Sequence, residues 1–196
     1  MTAERDPLDL DLRSGLPAEW LALLARHPRA GWGDHPNLGM TARFWLDRHA
    51  AFRRLGGELQ KRGEGFQGGG VDPEDFQNWF APRLQLLLGE LNGHHQVEDF
   101  HYFPVFRRAA PELAAGFELL DRDHKTLHLD LVETAEAANA LLQALARQPE
   151  NAESPTAAYA EASTRLLRRM ARHLDDEEDL VIPLLLDRGE AALVPE

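Results

Sequence analysis

The residues best placed to do chemistry in this chain are histidines and acids at helical spacing. They are His49; His94 with Glu98; His124 with His128; and His173 with Glu177. Side chains four positions apart share one face of a helix, so each pair can act as a unit. Imidazole and carboxylate together can exchange protons, form an ion pair or ligate a cation. A single His-x-x-x-acid pair carries little weight. Nine histidines and 33 acids in 196 residues would give about 1.5 such pairs by chance, against three present. His124-x-x-x-His128 is rarer, at about 0.4 expected, yet alone it is only suggestive. Taken one at a time, each pair reads as an ordinary solvated polar pair.

The joint arrangement changes that reading. Each set is flanked at helical spacing by apolar residues: Trp45 and Phe52, Leu87 and Leu91, Leu120 and Leu131, Met170 and Leu180. These polar groups therefore face an apolar interior, where an unpaired polar group costs several kcal/mol. Five imidazoles and two carboxylates in one core need a common partner, and metal cations supply it. The ligand types suit iron, zinc or manganese. Seven side chains exceed the four of a tetrahedral zinc site and suit two cations bridged by carboxylates.

A repeat organises these residues. An offset of 79 (173 − 94) matches His94 with His173, Glu98 with Glu177, Asp99 with Glu178, Phe103 with Ile182 and Pro104 with Pro183. The same offset lays His49 on His128. The chain thus reads as two helical hairpins that pack face to face. The match fails at Trp45, which stands where the second hairpin has His124.

The elements that must carry these residues are helices punctuated by proline and glycine. Residues 1–36 form an acidic, proline-containing arm with a short amphipathic segment at Pro17–His27. A first long helix is expected from Asn37, as N-cap, to about Lys61. A glycine-rich loop follows over Arg62–Gly70. Asp72-Pro73-Glu74-Asp75 starts the second helix, with Asp as cap and acids in the first turn. It runs to about Arg108, kinked at Pro82 and Pro104. The third starts at Ala110-Pro111-Glu112 and fades near Gln148. The fourth runs from Ser154-Pro155 to about Asp187. The expected fold is all-α: an antiparallel up-down-up-down four-helix bundle over residues 37–188, with an N-terminal arm (1–36) and a C-terminal tail (189–196).

This order resembles the hemerythrin-like (HHE cation-binding) family: His, then His-x-x-x-Glu ending in an aromatic-Phe-Pro turn, then His-x-x-x-His, then His-x-x-x-Glu. The resemblance covers residues 37–188. It implies two iron ions, bridged by an oxo or hydroxo group. By it, His124, His128 and His173 would bind one iron, His49 and His94 the other, and Glu98 and Glu177 both. Hemerythrins proper place an Asp five residues after the last histidine. Here Glu177 lies at four and Glu178 at five, and Glu177 is preferred because it shares the face of His173.

The broken repeat then has a chemical meaning. With Trp45 in place of a histidine, one metal has fewer protein ligands and keeps an open position for dioxygen or another small diatomic or peroxide ligand. Trp45 and Phe52 would wall that pocket or simply fill the core. His101 is expected at an exposed end of the fold or beside the ligands, while His27, His35 and His95 receive no role. Asp99, Asp175, Asp176, Glu178 and Asp179 read mainly as a solvated face, one or two of them orienting ligand imidazoles.

Composition bounds the function from outside. Without cysteine, thiol catalysis, Cys-ligated zinc and iron–sulfur clusters are excluded, and a reducing, cytoplasmic setting fits. A formal charge of -12 argues against nucleic-acid and membrane-surface partners. The apolar run Leu180–Leu186 is far short of the roughly 18 residues that span a bilayer, and the first ten residues carry no signal-peptide pattern. The leading expectation is a non-haem di-iron protein that binds dioxygen or a related oxidant for sensing, storage or delivery. The alternatives are a di-iron enzyme (peroxidase, oxidase or nitric oxide handling), an iron-handling protein, and a module with a structural metal whose arm, through Trp20 and Trp32, meets a partner.

Overall fold

The computed structural model describes residues 6–147 and 151–193. Among these the chain is helical with no strand. We number the helices α1 (Ala22–Arg26), α2 (Met40–Gln67), α3 (Pro73–Val97), α4 (Phe103–Ala109), α5 (Ala114–Arg147) and α6 (Glu153–Arg188). No helix among the described residues is long and apolar enough to cross a membrane.

Helix ends follow local chemistry in some places and distant contacts in others. Asp72 caps α3 as expected, its Oδ1 accepting from the amides of Glu74 (2.9 Å) and Asp75 (3.2 Å). Asn37 does not cap α2; its side chain donates to the Leu186 carbonyl instead. The first turn of α2 is satisfied by Glu190, whose Oε1 accepts from the Ala42 amide at 2.8 Å. A Cβ on Gly39 would collide with that carboxylate, so the glycine admits the cap. At its far end α2 continues through Gly63 and Gly65 to Gln67, beyond the loop expected from the glycines. It stops in a turn where Gly69 takes φ +71°, a conformation costly for any side chain.

The chain divides into two compact units, and each long helix contributes to both. The first comprises residues 1–49, 95–124 and 169–196. Its core gathers Trp45, Phe103, Phe106, Phe117, Leu120, Ile182 and Leu185, with Leu16, Leu23 and Trp32 of the arm. Trp32 buries its ring and donates its indole N–H to the His27 carbonyl at 2.7 Å, so it is a packing residue. Gly116 lets α5 approach α6, since a Cβ there would stand 2.7 Å from a Leu180 methyl.

Between α3 and α4, residues Glu98–Tyr102 form one wide π-type turn. A π turn inserts a residue into helical phase and is frequent at functional sites. Its effect is readable in burial: the inward row Leu84, Leu87, Leu91, His95, Glu98 resumes at Phe103 and Phe106. Phe100 and His101 are left exposed. His101 is thus the exposed residue that one of its two expected readings described.

The second unit comprises residues 50–94 and 125–168. Phe66, Phe76 and Phe80 stack in series with centroids 4.3 and 4.7 Å apart, and Tyr159 meets Phe80 edge-on at 4.9 Å. Leu59, Leu87, Leu91, Leu127, Leu141 and Leu166 are fully buried. An open groove of about 650 Å³ runs between the α3 and α5 segments, bounded by Leu84, Leu88, Leu131 and Leu142 with Asn92 and His128.

Candidate metal centre

Three imidazoles meet in the first unit. His95, from the last turn of α3, His124 of α5 and His173 of α6 are buried, and each offers a ring nitrogen within 4.8 Å of the others. The rings of His95 and His124 stack at 4.1 Å, and His124 meets His173 edge-on at 4.7 Å. The Nε2 atoms of His124 and His173 face each other at 3.1 Å. A second group holds the His49 ring and the Glu98 and Glu177 carboxylates, again with ligating atoms within 4.8 Å. The two groups adjoin: His124 Nε2 lies 3.5 Å from Glu98 Oε2, and His173 Nε2 lies 3.2 Å from Glu177 Oε2. His49 Nε2 stands 3.5 Å from Glu177 Oε1.

The outer edge of three of these rings is equally organised. The Nδ1 of His49 bonds Glu178 at 3.0 Å, that of His124 bonds Asp99 at 2.7 Å, and that of His173 faces Asp123 at 3.4 Å. With a carboxylate accepting from Nδ1–H, the Nε2 lone pair is left pointing inward. Asp99 and Glu178 thus each hold a buried imidazole by its outer nitrogen. Asp176 is fully buried, contrary to a solvated-face reading, because Arg13 and Arg172 reach it at 2.7 Å each.

These buried acids and imidazoles act strongly on one another's protonation. Burial, and then the charge of Glu177, push Glu98 well above the usual carboxylate range. Glu177 goes the other way: burial opposes it, but His49 and His173 hold it well below that range. His49 is likewise raised against its burial by Glu177 and Glu178. Burial lowers His124, the neighbouring His173 adding to this while Asp99 opposes it. His173 resists its own burial and rises to about 9 through Asp123 and Glu177. The two imidazoles that meet through their Nε2 atoms are thus shifted in opposite directions. The donor set fits a cation: inward imidazole nitrogens and carboxylate oxygens, with the outer edges of His49, His124 and His173 already held, and no thiolate.

The other expected residues fall as follows. Trp45 is buried, 6.4 Å ring to ring from His49, and donates its indole N–H to Glu177 Oε1. Tyr102 packs against it edge-on at 5.0 Å. Trp45 thus makes a polar contact to a candidate ligand as well as packing in the core. Phe52 belongs to the second unit, buried, with its ring 5.2 Å from that of His94. His94 is half-buried and is the last residue of that unit, one turn before Glu98 on the same helical run. His128 also lies in the second unit, exposed, with its Nδ1 3.2 Å from the Asn92 side-chain oxygen.

Sequence reasoning passed over His95, Asp123 and Arg13. A signal for His95 existed, since it follows Leu87 and Leu91 at steps of four on the inward row of α3. Arg13 had no comparable signal.

The model of the hemerythrin HHE cation-binding domain matches residues 40–185, about three quarters of the chain. No curated protein and no solved structure matches it.

Proposed function

Because the chain belongs to the hemerythrin HHE cation-binding family, we propose that it holds two iron ions and binds dioxygen or a related small oxidant for sensing, storage or delivery. The observation that carries this reading is the pair of inward Nε2 atoms of His124 and His173, 3.1 Å apart, between rings held by carboxylates on their outer edges. Such an arrangement costs free energy in a protein that binds nothing there.

In this reading His95, His124 and His173 serve one ion, and His49 serves the other with His94, which the family resemblance adds. Glu98 and Glu177 stand between. The exposed His128 is not part of the proposed set. When bound, the ions would supply the electrons and the position for the small ligand. Everything else is the work of the chain. Asp99, Asp123 and Glu178 keep Nδ1 protonated and Nε2 free to donate its lone pair. Trp45 fixes one oxygen of Glu177 by its indole N–H, and because it occupies the place where the internal repeat would put another histidine, the second ion would have fewer protein ligands. Trp45, Tyr102 and Phe106 pack around this point and exclude water. The antiparallel up-down-up-down bundle and a cytoplasmic setting belong to the same proposal; the order of four long helices supports the first, and the lack of cysteine the second.

The test is elemental analysis of protein loaded anaerobically with ferrous iron, followed by its visible spectrum on exposure to air. Two irons per chain and a new charge-transfer absorption are expected. One zinc per chain in protein from its own source, or a spectrum unchanged by air, would overturn the proposal.

A further inference from the structure

Two arginines of the N-terminal arm reach the histidines of the centre through carboxylates. Arg13 is buried, with its guanidinium between two acids of the first unit. Its Nη1 and Nη2 both donate to the Asp123 carboxylate, and its Nε donates to Asp176 at 2.7 Å. The Asp123 oxygen that accepts from Nη2 is also the one facing His173 Nδ1. Arg29 repeats the device. Its Nη1 donates to one oxygen of Glu178 at 2.8 Å, while the other oxygen bonds His49 Nδ1 at 3.0 Å. Its Nε and Nη2 hold Asp179 and the Asp175 carbonyl, and its guanidinium lies 5.0 Å from the Trp32 ring.

We infer that Arg13 and Arg29 are positioning residues of the metal centre: the arm sets the orientation of His173 through Asp123 and of His49 through Glu178. This rests on the proposed metal-binding function. Both residues lie outside the 40–185 stretch shared with the family, so the device belongs to this chain's own arm. The physical reason is the freedom of a carboxylate. An acid held only by an imidazole can rotate about its side-chain torsions and can take up the proton it is meant to leave on Nδ1. A guanidinium N–H on its other oxygen, Nη1 of Arg13 on Asp123 and Nη1 of Arg29 on Glu178, removes the rotation and keeps the carboxylate charged. The histidine then has one tautomer and one ring orientation, both suited to ligation through Nε2.

The arm is also fastened where it touches no histidine. Arg169 of α6 holds Asp11 with bonds of 2.8 and 2.6 Å, and Arg172 holds the Ser14 carbonyl at 2.8 Å. These contacts separate two roles for the arm, covering the centre and orienting its ligands. Asp11→Asn weakens the fastening and leaves both carboxylate relays whole.

The experiment loads full-length wild type, Arg13→Gln, Arg29→Gln, Arg29→Lys and Asp11→Asn with cobalt(II). It reads affinity by chelator competition and the ligand-field spectrum, with circular dichroism confirming the fold. Loss of an outer partner of a ligating histidine commonly weakens metal binding by about 10–100-fold. Arg13→Gln and Arg29→Gln should weaken cobalt binding by about tenfold and shift the ligand-field bands. Arg29→Lys should recover part of both effects, and Asp11→Asn should leave the spectrum of wild type. Arg29 is partly exposed, so its variants decide the matter if Arg13→Gln does not fold. An Arg29→Gln protein with wild-type affinity and spectrum, or one no different from Asp11→Asn, overturns the inference while leaving the metal-binding proposal intact. A wild type that takes up no cobalt overturns both.

Discussion

His124 and His173 point their Nε2 atoms at each other across 3.1 Å in the interior of the first unit. Around this contact lie two buried carboxylates, Glu98 Oε2 at 3.5 Å from His124 Nε2 and Glu177 Oε2 at 3.2 Å from His173 Nε2. The outer edges explain why the rings do not turn away. Asp99 holds one at 2.7 Å and Asp123 faces the other at 3.4 Å, so rotation toward solvent would abandon a carboxylate.

Either ring should therefore be indispensable for metal. We expect His124→Ala and His173→Ala to lose at least one of the two irons per chain, measured by elemental analysis after anaerobic loading. Retention of two irons by both variants would refute the placement of the centre.

His95 and His128 provide a sharper contrast, because one is buried against the rings of His124 and His173 and the other is exposed beside Asn92. His95→Ala should lower iron affinity by tenfold or more. His128→Ala should leave iron content unchanged. Equal losses in both variants would restore His128 to the ligand set.

The internal repeat made part of this arrangement legible beforehand. Asp99 and Glu178 correspond at the offset of 79, and each holds the Nδ1 of a buried histidine. Spacing within a helix is a local property, so the pairing of Glu98 and Glu177 with their helix faces could be read from the chain alone. His95 was harder, because two adjacent histidines at the edge of the inward row cannot both be placed by a period of 3.6. The π turn at Glu98–Tyr102 leaves no pattern of its own in the residues. Arg13 was hardest: its partners lie 110 and 163 positions away, and nothing periodic connects them. The extension of α2 through Gly63 and Gly65 belongs to the same class, since tertiary contacts override weak helix propensity.

Trp45 should be worth more to the protein than its ring. A hydrogen bond to a charged group contributes about 1.5–3 kcal/mol. Trp45→Phe keeps an aromatic ring and removes the donor to Glu177, so the metal-free protein should lose about that much stability in urea. In a double-mutant cycle with Glu177→Gln, the two losses should be strongly non-additive. Additive losses would mean that the indole N–H does not act on Glu177.

Removal of Arg13 should be among the costliest changes in the arm. Its guanidinium is buried with Asp123 and Asp176, and removing one partner of a buried ion pair costs about 3–5 kcal/mol because a charge is left unpaired. Arg13→Met should lower metal-free stability by an amount of that order, seen as a shifted urea midpoint with an unchanged slope. A loss below about 1 kcal/mol, the range of exposed pairs, would show that the buried network is dispensable.

The second unit supplies a pH prediction independent of metal. Tyr159 is buried against Phe80, and burial raises its phenol from 10.0 to about 12, a hydrogen bond with Ser163 opposing the shift in part. The phenol is an acid whose neutral form the fold favours, so its contribution is fully present below pH 10. Between pH 10 and about 12 the unfolded chain ionises first, and the contribution is lost as pH rises. Each pH unit in that window removes at most about 1.4 kcal/mol. Tyr159→Phe abolishes this component. The stability of wild type should therefore fall more steeply than that of Tyr159→Phe from pH 10 to 12, while the two run parallel below pH 9. Urea titrations at fixed pH measure both slopes, and parallel curves through the alkaline window would show that Tyr159 ionises as freely in the folded protein as in the unfolded one.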